Sequence, residues 1–495
     1  MGKEYILAID AGTTSSRTIL FDLKGNIVSV AQEEFRQIYP EKGWVEHDAE
    51  EIAQTQLRTI KRAIEKANIE PSTIIAIGIT NQRETIVAWD KITGKPLCNA
   101  IVWQCRRTAE MCEKIKKDGM EKTIREKTGL VVDPYFSATK MRWLIENVPA
   151  VKKANDEKRL AFGTIDSWLL AVLTGWKSFK TDHSNASRTM LYNINTLDWD
   201  DQLLSYFGID RDSLPQICES NSEFGFLDRL ILDEEIPITG ILGDQQAALF
   251  GQNCFNFGEG KITYGTGSFI LVNIGEKPVI SKHNLLTTIA WVLEGKPYYA
   301  IEGSVFIAGA AIQWLRDNLK IISNSAETEV LSLEAEESKG LVFVPAFTGL
   351  GAPYWKADAR GLIYGITRDT EIKHIVRACL EGVAYSIRDV LDGIVNDCGQ
   401  PLHIVRVDGG ASANNFLLQF QSDLLNIPII RPKIIETTAM GAALIAGYKR
   451  GGFESINDMT KFYQQDRIFN PSSKKDIAFE GYENWKKIIQ KMFLQ

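Results

Sequence analysis

The chain has 495 residues, 44 % of them hydrophobic, which is enough for two or more domains with substantial cores. Its 56 Lys and Arg are outnumbered by 63 Asp and Glu, and the two signs are mixed along the chain, which argues against nucleic acid as a partner. The 7 cysteines form no CxxC pair, the 5 histidines have no HxxH or HExxH spacing, and the longest apolar stretch, 305–315, is too short to span a bilayer. Reduced thiols, no structural zinc and no membrane insertion are expected. Lys3 and Glu4 lead at once to Asp10, so no signal peptide is expected and the location should be cytoplasmic.

Residues 5–22 read as strand, turn and strand: an apolar run over 5–9, a polar turn over 11–15 and a second run over 18–21. Asp10 stands where the first strand runs out. A carboxylate there, beside a turn with convergent amides, suits a phosphate and its Mg²⁺. Gly12 permits close approach, and Thr13, Thr14 and Ser15 add hydroxyls. The same residues also suit an ordinary hairpin with a polar tip, and no GxxxxGK[ST] motif is present.

A strand over 27–34 follows. Asp48 with Glu51 forms a capping-box pattern, and Ala53, Leu57, Ile60, Ile64 and Ala67 give one apolar helix face ending near Asn68. The β-branched run 74–80 predicts a buried strand, and Asn81, Gln82, Arg83 and Glu84 interrupt it before apolar pattern resumes at 86–89. Further strand pattern covers 96–103, a helix follows 135–143, and 161–173 reads as a strand end and a helix. The stretch 176–236 reads as irregular decoration. Residues 240–252 read strand, Gly243–Asp244, helix, where the helix dipole favours an ionised Asp244.

Residues 261–272 repeat the opening logic. Gly12–Thr13 align with Gly265–Thr266 and Ser15 with Ser268, while Asp10 falls opposite Thr263. Two such halves facing each other make a cleft for a polyphosphate. An apolar helix is predicted over 304–319, bearing Gly309 and Gln313, and a long one over 371–396. The strand 404–407 ends in Asp408–Gly409–Gly410, and Asn414 can cap a helix over 415–426. That is a place for a nucleotide, although plain loop chemistry accounts for it equally. Ala and Gly enrich a helix over 437–448, consistent with close packing.

Together, DAGTTSSRTILFD, ITYGTGSF, YFSATKMRW, GLIYGITRDTEIKHIVRACLEGVAYSI and VDGGASANNF resemble the FGGY family of carbohydrate kinases. That family lies within the actin, hexokinase and heat-shock-protein-70 superfold, and the resemblance covers nearly the whole chain. NQRET and GDQQAALFGQ resemble the members that phosphorylate glycerol. The resemblance implies an α/β fold of two actin-like ATPase (ribonuclease H-like) lobes, 1–252 and 253–495, with mixed sheets flanked by helices and a cleft between them. It implies transfer from ATP to glycerol, giving sn-glycerol 3-phosphate, with Asp244 as general base. It places Arg83, Glu84, Trp103, Tyr135, Gln245 and Phe269 in the glycerol pocket. Thr13, Thr14, Ser15, Arg17, Thr266, Gly309, Gln313, Gly410 and Asn414 would contact ATP or ADP, and Asp10 would hold Mg²⁺. A homodimer or homotetramer is implied as well. Where bacterial members that resemble this chain and phosphorylate glycerol often carry a Gly- and Arg-containing loop for a sugar-bisphosphate regulator, acidic residues stand at 233–235, so that regulation is not expected. The competing readings are a kinase of the same family acting on a pentulose or another polyol, and an actin-like or chaperone-like ATPase.

Overall fold

The structure, a computed structural model, describes residues 4–356 and 358–494; Lys3, used above, lies outside them. The opening stretch forms β1 (Tyr5–Ala11) and β2 (Ser15–Asp22), followed by β3 (Ile27–Glu34) and α1 (Ala49–Ala67). Asp48 caps α1 through the amides of Glu50 and Glu51, and Asn68 ends it in the left-handed region. The reciprocal half of the expected capping box is absent, because the Glu51 carboxylate is taken by Arg36. β4 (Ile74–Asn81), β5 (Asn221–Phe226), β6 (Pro237–Gly243) and α2 (Asp244–Gly251) complete the first main sheet and its site helix. Strand order is β5-β6-β4-β1-β2-β3, with β1, β4 and β6 mutually parallel. A separate four-stranded sheet holds Ile86–Asp90; the strand expected over 96–103 shrinks there to Ala100–Ile101.

The second half supplies β7 (Glu259–Tyr264), β8 (Ser268–Gly275), β9 (Leu286–Leu293), β10 (Lys296–Val305) and α3 (Gly309–Asp317). The helix expected from 304 begins five residues later, because Ser304 and Val305 finish β10 by pairing with Phe269 and Ser268. Then come α4 (Ile372–Cys398), β11 (Ile404–Asp408), α5 (Asn415–Leu425), β12 (Ile429–Pro432), α6 (Thr437–Gly447) and β13 (Gln465–Phe469). The sheet order is β9-β10-β8-β7-β11-β12-β13, with β7, β11 and β12 parallel. Both sheets therefore share a plan: a set of antiparallel strands, three in the first sheet and four in the second, extended on its first strand by two parallel strands and an antiparallel edge strand. The result is the expected pair of α/β halves with mixed sheets.

Alternation along β1 sends Leu7 and Ile9 to the α1 side and Ile6 and Ala8 to the other side, all fully buried. What covers that second face is α6, which by sequence belongs to the second half. It lies on β1, β4 and β6 and runs against α2. Backbone meets backbone there: a Cβ at Gly441 would overlap the Ala247 carbonyl, and one at Gly78 the Ala442 carbonyl. The Ala- and Gly-rich composition is what permits this approach. Among the described residues no helix is long and apolar enough to cross a membrane.

Candidate active site

β4 and β6 run parallel as neighbours and end side by side, Asn81 opposite Gly243, so the two polar segments that follow them share one place. After β4 come Arg83 and Glu84, both about 98 % buried. Glu84 holds a left-handed backbone (φ 60°), a conformation that costs a non-glycine residue on the order of 1 kcal/mol. Its carbonyl accepts from Ser137 Oγ at 3.0 Å, and its carboxylate from Arg188 Nε at 2.6 Å. After β6 comes Asp244 at the first position of α2, its side chain 30 % exposed and its Oδ1 3.0 Å from Arg83 Nε.

Arg83 organises this end of the sheet. Nη1 donates to Glu302 Oε2 at 2.6 Å and to Gln246 Oε1 at 3.2 Å, and Nη2 donates to Glu302 Oε1 at 3.0 Å. Arg188 Nη2 reaches the same Glu302 oxygen at 3.0 Å. Arg83, Glu302, Arg188 and Glu84 thus form a buried run of alternating charge. Burial alone would raise the Glu302 carboxyl, but Arg188 and Arg83 hold it at about 2. For Asp244 the balance is the reverse: burial lifts its carboxyl to about 6 against the pull of Arg83. Desolvation weakens the preference for the charged form expected at the helix start without reversing it at neutral pH. A carboxyl poised near 6 is well placed to accept a proton at neutral pH.

Tyr135 stands beside Arg83, its hydroxyl 3.4 Å from Nη2, and packs edge-to-face on Trp103 with centroids 5.5 Å apart. Buried Lys140 gives its ammonium to the carbonyls of Pro134, Tyr135 and Phe136 at 2.6–2.9 Å, which fixes the loop that carries Tyr135. Trp103 Nε1 donates to Thr13 Oγ1 at 3.0 Å, tying this pocket to the first hairpin. The turn of that hairpin is held from behind. Gln82 donates to the Gly12 carbonyl at 3.0 Å, Gln37 to the Thr13 carbonyl at 3.1 Å, and His47 lies 2.9 Å from Gln37. Burial pulls the His47 imidazole down to about 4, so it is neutral there. Thr14 is exposed, and the Ser15 hydroxyl accepts from Gln32 at 2.9 Å.

The second hairpin is braced differently. Ala308 and Ala310 donate their amides to the Thr266 carbonyl at 2.9 and 3.0 Å, and Gly309 to the Gly265 carbonyl at 2.9 Å. The start of α3 is therefore seated on the turn, with Gln313 exposed one turn further along. Phe269 is half-buried and sits opposite Thr263 in the hairpin. Gly410 is exposed after β11. Asn414 is engaged at both ends: Oδ1 caps α5 through Leu417 N at 2.9 Å, and Nδ2 donates to Thr328 at 3.0 Å.

The two hairpins join at the start of α6. Asp10 pairs with Arg17 at 2.7 Å and Arg17 with Glu436 at 2.5 Å; the next residue, Thr437, donates to Asp408. Asp408 is the register partner of Thr263, whose hydroxyl accepts from Lys261 at 2.9 Å, and Lys261 also donates to Gln245 beside Asp244. Among the described residues no three metal-type side chains cluster around Asp10. A lone carboxylate with one oxygen on Arg17 still fits Mg²⁺, which keeps most of its waters and takes other ligands from phosphate.

Arg188, Glu302, Gln246, Lys261 and Glu436 have no assigned role in the sequence reading. Glu302 and Lys261 carry a usable signal, a lone charge inside a buried strand run. Arg188 lies in the stretch read as decoration and has no periodic signal; the fold corrects that reading by bringing the segment into the charged core of the site.

The models for the FGGY family of carbohydrate kinases match this chain, the N-terminal domain over residues 5–251 and the C-terminal domain over 260–450. Glycerol kinase 2 of Thermotoga maritima is 54 % identical over 488 residues, 99 % of this chain and 98 % of that protein. Glycerol kinase of Caldanaerobacter subterraneus is 53 % identical over the same shares. The crystal structure of Plasmodium falciparum glycerol kinase with ADP superimposes with a TM-score of 0.95 at 39 % identity, covering 100 % of this chain and 99 % of that one. The chain belongs to the FGGY family of carbohydrate kinases.

Proposed function

We propose that this protein transfers the γ-phosphoryl group of ATP to a terminal hydroxyl of glycerol, giving sn-glycerol 3-phosphate and ADP. Full-length likeness to proteins named glycerol kinase supports the reading. The observation that carries it in this chain is Asp244: partly open, lifted to about 6, and held 3.0 Å from a buried arginine at the meeting of two polar strand ends. As the acceptor oxygen bonds to the γ-phosphorus, its proton passes to the Asp244 carboxylate and the bridging bond to the β-phosphate breaks, releasing ADP. A positioned base of this kind supplies about 10²–10⁴-fold.

Arg83 and Glu84 offer donors and an acceptor to the remaining hydroxyls, with Tyr135 and Gln245 beside them; Trp103 and Phe269 suit the carbon face. Thr13, Thr14, Ser15 and Arg17 on one side, and Thr266, Gly309, Gln313, Gly410 and Asn414 on the other, take the nucleotide. Mg²⁺ at Asp10 neutralises phosphate charge when bound. The rest of catalysis is alignment, which the two braced turns supply. The lobes are taken as 1–252 and 253–495. ADP release measured with and without glycerol tests the reading. One ADP per glycerol consumed is expected, with a pentulose turning over far more slowly; ADP release indifferent to polyol would overturn it in favour of an ATPase.

A further inference from the structure

Lys261 is fully buried on β7, two residues before Thr263 on the same face of the sheet and just ahead of the Gly265 turn. Its ammonium donates to the Thr263 hydroxyl at 2.9 Å and, across the halves, to the Gln245 side-chain oxygen. The backbone N–H of the same residue, Gln245, donates to Asp244 Oδ1 at 2.7 Å. Burial pulls the Lys261 amine down to about 8, against the attraction of Asp408, Asp244 and Glu302. An ammonium in such a place is costly, and an apolar side chain of the same length would pack without that cost. Stability therefore does not explain the charge, whereas its position between the two substrate sites does.

We propose that Lys261 is a positioning residue for the transfer. It fixes the Gln245 side chain of the acceptor pocket from the strand that leads into the nucleotide turn, so that filling one site organises the other. This rests on the roles given above to Gln245 and to the 265–267 turn. Removal of the ammonium frees Gln245 to turn away and leaves the acceptor site indifferent to the state of the hairpin.

The test is an initial-rate grid over glycerol and ATP for the wild type, Lys261→Met, Lys261→Arg, Gln245→Leu and the Met/Leu double variant, with circular dichroism as a fold control. Lys261→Met should raise the glycerol KM by about 10-fold or more while kcat falls by less than about 3-fold. The wild-type glycerol KM should depend on ATP; Lys261→Met should lose that dependence and Lys261→Arg should recover much of it, and a wild-type glycerol KM indifferent to ATP overturns the proposal. The double variant should be no worse than the worse single variant, because both remove one link. A glycerol KM within about 2-fold of wild type in Lys261→Met, or additive losses in the double variant, overturns the proposal. Should Lys261→Met fail to fold, Gln245→Leu decides: retained dependence of glycerol KM on ATP overturns it. A wild type that releases no ADP with glycerol defeats the functional reading instead, which separates the two failures.

Discussion

Glu302, on a strand of the second half, accepts two hydrogen bonds from the Arg83 guanidinium of the first half, at 2.6 and 3.0 Å, with both side chains 2 % exposed. The pair joins the halves beneath Asp244 and shares one oxygen with Arg188. Glu302→Leu should strand two buried cations and cost about 3–5 kcal/mol in urea unfolding, with a raised glycerol KM in any folded fraction. The double variant Arg188→Met/Glu302→Leu should recover part of that loss. A single variant within about 1 kcal/mol of wild type would show the pair to be dispensable.

The pH profile follows from Asp244. In the proposed role its carboxyl must be ionised to take a proton, so kcat/KM for glycerol should fall with unit slope below about pH 6. Asp244→Asn should lose about 10²–10⁴-fold in kcat while ATP binding persists. A variant with near-normal turnover removes Asp244 as the base.

The same shift has a consequence for stability. Folding raises this carboxyl from 3.8 to about 6, so between those values the folded chain holds a proton that the unfolded chain has released. Stability is therefore lost as pH rises through that window. At pH 7 Asp244→Asn should match or exceed the wild type, by on the order of 1 kcal/mol, and the gap should close toward pH 4. Chemical unfolding at both pH values checks the sign.

Trp103 joins the proposed acceptor pocket to the first hairpin through one hydrogen bond to Thr13. Trp103→Phe keeps the ring against Tyr135 and removes the donor. The ATP KM should rise by about 3–10-fold, the worth of one hydrogen bond, and an unchanged value would show that Thr13 is held without it.

Gly441 is where α6 meets α2 backbone to backbone. Gly441→Ala places a methyl group on the Ala247 carbonyl and should cost more than about 3 kcal/mol, or prevent folding altogether. Thermal unfolding close to that of wild type would mean that the helices can separate without loss.

Local chemistry made much of this legible. The hairpin ends, the N-cap at Asp48, the cap at Asn414 and the helix end at Asn68 follow from neighbouring residues and match the structure closely. The polar run 81–84 stood out between two apolar strands, whereas the roles expected of Arg83, Glu84 and Asp244 came from the family resemblance. The helix start at 304 failed because Ser304 and Val305 pair with Phe269 and Ser268, far away in sequence, while the strand expected over 96–103 keeps only Ala100–Ile101.

By itself, the sequence determined the repeated strand-turn-strand halves and the chemistry offered at each turn, because hydrogen bonding and side-chain alternation act over a few residues. Only the tertiary structure decided that α6 would cross to the other half's sheet and that Arg188, Lys261 and Glu302 would converge on the Asp244 pocket. It also decided that Asp244 would titrate near 6. Burial and the sum of distant charges set those outcomes, and neither exists until the chain is packed.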